Sequence, residues 1–353
     1  MYPCVECNRI KLLQNVETVS GMLHADNKIM CAVVKGFCAD DSIMHIVEES
    51  ACDWLADSRI EDLAKLHTKK KRLLIRLSQL CEIPEVIASS DASFESEQQT
   101  IRALQAEAAK QDKIHGILLA IDMGDLREGI FYKNLAEIEE AAALVQQSPN
   151  LSLLGVGTNL GCFGGVKTDL NNMQGLMDVA SYIEQKFSIK LPYISGMSTA
   201  AMEMIENHTM PKRVNHGRFG EAWLLGYDSV DNRSIKYLHD DVFIFKAQII
   251  ELKEKPSQPI GNVGSNAFGE HVEYKNEGVM KRALLAFGTQ DVEYEYLTPL
   301  DQNIEFIGAS SDHTIVNLHG ADEYKVGDVL TFKLKYHALL HLYTSKYVKK
   351  YIV

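Results

Sequence analysis

Apolar positions recur at helical spacing over residues 8–25, where Ile10, Leu13, Val16 and Val19 share one face. An apolar run of strand length, MCAVVKGF, follows over 30–37. The two textures then alternate. Helices are predicted over 42–49, 59–67, 94–111, 135–147, 169–187 and 199–207. Strands are predicted over 53–56, 72–77, 85–88, 114–121, 151–156, 191–194 and 213–215. With the run at 30–37 this gives eight strands interleaved with helices. That rhythm predicts a parallel sheet with crossover helices, and eight repeats predict a closed (β/α)8 TIM barrel. The texture changes near Gly226. From residue 241 the chain reads as strands (VFIFKAQIIEL, ALLAFG, IEFIG, TIVNL, VLTFKLKY) broken by Pro256, Pro259, Gly261, Gly264 and Gly327-Asp328. The expected division is a barrel over 1–230 and a mostly β C-terminal domain over 231–353, with residues 1–8 able to join the latter.

Composition narrows the class. At roughly 150 residues per domain, 353 residues suit two domains, and 46% apolar content suits a core that needs no disulfides. Acidic residues number 48 and basic ones 36, a net charge of −12, with no basic stripe. This argues against nucleic acid as a partner. Seven scattered cysteines are an odd number, so a reducing, cytoplasmic setting is expected over a disulfide framework. Cys4 and Cys7 form a C-x-x-C pair but lack the second pair of a zinc ribbon, and chance spacing is the better reading. No signal-peptide pattern and no apolar stretch of about 18 residues appears, so no membrane association is expected.

Four places carry candidate chemistry. Lys35 ends the run Ala32-Val33-Val34. A lysine at the C-terminal end of a first barrel strand points into the mouth, where active sites sit, and a desolvated lysine can form a Schiff base. A lysine snorkelling from a strand end is the plainer alternative. Gly155-Val156-Gly157-Thr158-Asn159-Leu160-Gly161 is glycine-rich and follows a strand. Ser195-Gly196-Met197-Ser198-Thr199 and Gly217-Arg218-Phe219-Gly220-Glu221 follow strands seven and eight, the usual phosphate loops of a barrel. Ser198 and Thr199 could equally cap a helix. A phosphorylated ligand and a strand-one lysine in one mouth imply pyridoxal phosphate.

At these residues the chain resembles the alanine racemase family of pyridoxal-phosphate enzymes. AVVKGFCAD (32–40) is similar to that family's lysine motif, IDMGDLREG (121–129) to its arginine segment, and GVGTNLGC (155–162) to its sixth strand end. GRFGEAWLLG (217–226) and IGASSDHTIV (307–316) are similar to later segments, so the resemblance runs the length of the chain. VVKGFCAD, ADSRIEDL, GEAWLLG and GASSDH look closest to the ornithine racemase subgroup. The resemblance implies racemisation of a free basic amino acid, ornithine or lysine, by removal and return of the Cα proton. It implies that Lys35 carries pyridoxal 5'-phosphate covalently and is one catalytic base. Arg127 would reach the cofactor phenolate. Ser198, Thr199 and the amides of Gly220 and Glu221 would bind its phosphate. Arg218 would face its pyridine nitrogen, and Asn159 stands at a cofactor-contacting strand end. It also implies a homodimer in which the β domain completes the partner's active site.

The departures matter as much. Where the family has a tyrosine after the lysine, this chain has Ala39; where it has a strand-end histidine, Asn159. The family's second base, a tyrosine from the partner subunit, aligns with Phe268 in AFGEH (267–271). Phenylalanine cannot transfer a proton. His313, beside Asp312, is the replacement favoured from the sequence, and His271 the other. Alternatives on the same scaffold are a decarboxylase or aldolase, or a non-catalytic pyridoxal-phosphate carrier. An arginine rather than an acid at 218 speaks against the decarboxylases, and the long β domain against the carrier.

Overall fold

The computed structural model describes the chain from Met1 to Val353 apart from Ala267, Glu270, Val272, Ala321 and Asp322. Two compact units result: Ile10–Asp240, and Met1–Arg9 together with Asp241–Val353. The division therefore falls at Asp240, past the expected 230.

In the first unit eight parallel strands follow one another in chain order. They are Ile29–Val33, Trp54–Asp57, Lys71–Leu74, Ala92–Glu95, His115–Asp122, Leu151–Gly157, Tyr193–Ser195 and His216–Phe219. The first pairs with the last, Ile29 opposite His216 and Ala32 opposite Phe219. Between the seventh and eighth, Met197 bridges Gly217, and the Arg218 N–H donates to the Met197 carbonyl at 2.9 Å. The sheet is thus a nearly closed (β/α)8 barrel. The strand period of two puts Cys31, Val33, Trp54, Ala56, Leu73, Ala92, Phe94, Leu118 and Ala120 on one face, where they pack as one apolar cluster. Gly155 lets the sixth strand lie against the seventh, since a Cβ there would sit 1.9 Å from the Tyr193 carbonyl oxygen. Helices between the strands start where the sequence offers caps. Asp40 accepts from the Ser42 N–H, and Asp169 with Asn172 forms a capping box.

Three boundaries differ from the sequence expectation. Residues 85–88 are not a strand but lie within the helix Ile83–Ser89, which has Pro84 in its first turn. The fourth strand is Ala92–Glu95, so the helix expected from 94 begins only at Gln98. The eighth strand is His216–Phe219 rather than 213–215, which puts Arg218 on the strand itself. The cause is common: these strands bury polar residues and read as surface. Ser93 Oγ meets His115 Nε2 at 3.0 Å, and Ser78 Oγ donates to Glu95 at 2.5 Å.

The second unit is built on the long strand Phe243–Pro256. Antiparallel partners flank it, Val279–Leu285 on one side and Val329–Leu334 on the other. Cys4–Cys7 adds to it antiparallel, Val5 opposite Phe245, and pairs in parallel with Lys349–Ile352. Its core holds Phe245 against Phe287 and Phe332, with ring centroids 4.9 and 6.1 Å away. Cys4 and Cys7 are buried and three apart on one strand, a spacing that alternates faces. Among the described residues, no helix is long and apolar enough to cross a membrane.

Candidate active site

A cavity of about 370 Å³ opens at the C-terminal ends of the barrel strands. Four of the predicted site residues meet on its wall: Lys35, Arg127, Asn159 and Arg218. Arg76 adds a further cation and Glu128 the lining carboxylate, so the wall favours an anionic ligand.

Lys35 opens a short 3₁₀ turn, Lys35–Phe37, directly after the first strand. The chain leaves that turn through Cys38 and Ala39, both left-handed, with φ of 52° and 49°. Burial lowers the Lys35 pKa, with Cys162 opposing and Arg127 reinforcing the shift. The amine is therefore neutral more readily than a surface lysine, as a nucleophile requires.

Arg127 follows the fifth strand. Its Nε and Nη2 both donate to the Glu128 carboxylate, which raises its pKa despite partial burial. Gly129 closes this segment with φ of 110°, and a Cβ there would lie 2.8 Å from the Asp122 backbone nitrogen.

Arg218 is buried and held on several sides. Nη1 donates to the Ser195 carbonyl at 2.9 Å and also to the Ser195 hydroxyl, and Nη2 donates to the Thr158 carbonyl at 2.6 Å. Its guanidinium lies 4.8 Å over the Phe94 ring. Behind it, Ser195 Oγ meets His216 Nδ1 at 2.8 Å. Burial first, and Arg218 second, push the His216 pKa down to about 3, so this imidazole is neutral.

Ser198, Thr199, Gly220 and Glu221 do not line the Lys35 cavity. They form a linked pair of loops beyond it, in which the Ala222 N–H donates to Thr199 Oγ1 at 3.2 Å. The Ser198 side chain makes no cap hydrogen bond. The Glu221 carboxylate is turned to Ser229, accepting from its hydroxyl at 2.8 Å and its N–H at 3.2 Å.

The residues proposed for the second proton lie elsewhere in the chain. His313 is exposed in the second unit and lines a separate cavity of about 480 Å³ with Asp291, Asp312 and Tyr347. Phe268 is 51% exposed, and His271 is exposed. Ala267 and Glu270 of the AFGEH segment lie outside the described residues.

Sequence reading missed three groups at this site. Asp125, buried, gathers the glycine-rich loop; Glu128 holds Arg127; and Cys162 lines the cavity beside Arg127. Asp125 and Glu128 flank Arg127 within IDMGDLREG, and Cys162 ends GVGTNLGC, so position relative to those segments was the available signal.

Residues 8–228 match the alanine racemase N-terminal domain. The chain belongs to the alanine racemase family. Ornithine racemase of Acetoanaerobium sticklandii is 37% identical over 352 residues, covering 99% of both chains. Lysine racemase of Thermotoga maritima is 30% identical over 353 residues, covering 99% of this chain and 98% of the relative. Among solved structures, alanine racemase of Clostridium difficile 630 superposes with a TM-score of 0.77 at 18% identity, over 99% of this chain and 95% of that one. The fold is thus that of the alanine racemases. Kinship makes the chain an amino-acid racemase, and pyridoxal 5'-phosphate is the cofactor that goes with the family.

Proposed function

We propose that this enzyme racemises a free basic amino acid, ornithine or lysine, in the cytoplasm and as a homodimer. The observation that carries the reading is Lys35, its amine kept toward neutrality by burial in a cavity lined by three arginines. The two full-length relatives named for ornithine and lysine support the substrate class.

The residues present fit the cofactor. Asn159 Nδ2 and Thr158 Oγ1 are buried without a partner among the described residues and belong to residues lining this cavity. Its arginines suit an anionic, aromatic group. When bound, pyridoxal phosphate supplies an electron sink that acidifies the substrate's Cα–H. Lys35 would hold it through Nζ and, once displaced by substrate, move a proton at Cα. Arg127, oriented by Glu128, would face the phenolate oxygen. Arg218 has donors to spare beyond its bonds to Ser195 and Thr158, and would give one to the ring nitrogen. A guanidinium keeps its own proton, so that nitrogen stays unprotonated and electron withdrawal stays moderate. Ser198, Thr199 and the amides of Gly220 and Glu221 would bind the phosphate. The diversion of the Glu221 carboxylate to Ser229 takes a repelling charge away from it.

The test has two parts. Purified protein should abolish the optical rotation of L- or D-ornithine, or of lysine. Borohydride should fix the cofactor to the peptide containing Lys35. A labelled peptide centred on another lysine, or no racemisation of any free amino acid, overturns the reading.

A further inference from the structure

Inverting an α-carbon takes two proton-transfer groups, one for each face, and Lys35 supplies one. The family position for the other is Phe268, which has no proton to give. The Lys35 cavity itself contains a group of the right chemistry. Among its lining residues, Glu128 is committed to Arg127, the arginines cannot deprotonate, and Ser58, Thr158 and Asn159 do not ionise near neutrality. That leaves Cys162. A thiol can both give and take a proton.

The surroundings suit that task. Cys162 is exposed on the cavity wall that Lys35 and Arg127 also line. Its loop is anchored on both sides. The Asp125 carboxylate accepts from the N–H groups of Gly161 at 3.1 Å, Phe163 at 2.9 Å and Val166 at 3.1 Å. Gly161 has φ of 81°, and a Cβ there would meet Val230 at 2.6 Å, so the turn before the thiol is fixed by sequence. Independently of the thiol, Thr158 points to a ligand in this cavity. It is 3% exposed, lines the cavity, and its hydroxyl has no partner among the described residues.

We propose that Cys162 is the second proton-transfer residue, acting on the face of Cα opposite Lys35. The inference rests on the proposed racemase function. For one enantiomer the Cys162 thiolate takes the Cα proton and becomes the thiol, while the C–H electron pair stays with the substrate and cofactor. The Lys35 ammonium then delivers a proton to the other face and becomes the amine. The opposite enantiomer runs the same transfers in reverse. Each inversion leaves the two groups with exchanged protonation states, and water restores them because Cys162 is exposed.

The experiment uses the cofactor-loaded enzyme and four variants, Cys162→Ala, Cys162→Ser, His313→Ala and, as a control, Cys81→Ala, the other exposed cysteine. Bound-cofactor absorbance and circular dichroism verify that each is folded and loaded. Both Cys162 variants should lose roughly 10²–10⁴-fold in inversion. In deuterium oxide they should still exchange the Cα proton of one enantiomer, through Lys35. Cys81→Ala should invert normally. A second readout needs no turnover: iodoacetamide labelling, mapped by mass spectrometry, should modify Cys162, and ornithine should protect Cys162 but not Cys81. Normal inversion by both Cys162 variants overturns the inference, as does loss of inversion confined to His313→Ala, which would hand the role to that residue. Failure of the wild type to racemise any free amino acid overturns the functional reading instead, and so is distinguishable.

Discussion

Arg218 has only donors, and its guanidinium gives them to Ser195 and Thr158. The guanidinium gives a hydrogen to Ser195 Oγ, which also meets His216 Nδ1 at 2.8 Å. His216 Nε2 has no partner among the described residues and sits among the Trp54 and Tyr193 rings. Removing the guanidinium would take its donor from the Thr158 carbonyl inside the barrel and leave the Ser195 carbonyl with only the Thr158 N–H, at 3.0 Å. Arg218→Ala is expected to lose about 1–3 kcal/mol of stability in urea unfolding. Arg218→Lys keeps the charge but not the planar fork, so it should keep part of that stability while binding the cofactor less tightly, read from the visible absorbance. An unchanged urea midpoint for Arg218→Ala would mean that water satisfies those groups.

At the scale of elements, the sequence was legible wherever strand faces were apolar throughout. His115–Asp122 and Leu151–Gly157 announce themselves by composition, as does the long helix Leu170–Phe187 by its period. Ala92–Glu95 and His216–Phe219 do not, because half their positions are polar side chains satisfied by partners distant in sequence. A local pattern carries no trace of those partners. The same limit hid the site's supports. Lys35, Arg127, Asn159 and Arg218 are legible in their sequence segments and share one cavity, whereas Asp125 has its role only because the loop from Gly161 to Val166 wraps it. Burial works against its charge, yet the backbone N–H groups of Val166, Phe163, Gly161 and Gly164 outweigh this and hold its pKa low. Asp125→Ala should therefore free the loop. The amides of Gly161, Phe163 and Val166 are expected to exchange with deuterium roughly tenfold faster or more, from about 1.5–3 kcal/mol lost per charged hydrogen bond. Unchanged exchange would show that Gly161 and the neighbouring packing hold the loop unaided.

For the molecule as a whole, buried titratable groups set opposing slopes of stability against pH. His216 has its pKa pushed from 6.5 down to about 3 by burial, so the unfolded chain binds its proton first as pH falls. Its contribution is complete above pH 6.5 and is lost as pH drops toward 3. Asp57, at the end of the second strand, runs the other way. Burial raises its carboxyl from 3.8 to about 7, against the Arg59 N–H that donates to it at 2.8 Å. The folded state then holds a proton that the unfolded chain has released. Its contribution is complete below pH 3.8 and is lost as pH rises through 7. Unfolding free energies of wild type, His216→Gln and Asp57→Asn, measured from pH 3 to 8 at equal cofactor loading, separate the two. Relative to His216→Gln, the wild type should lose on the order of a few kcal/mol between pH 6.5 and 3. Relative to Asp57→Asn, it should lose stability in the other direction, from pH 4 to 7, and run parallel above. Differences between matched proteins cancel the many surface groups of this acidic chain, so each slope belongs to one buried site. A His216→Gln curve parallel to the wild type at every pH would mean that water reaches this imidazole, and that the chain from Arg218 through Ser195 ends in a group free to take a proton.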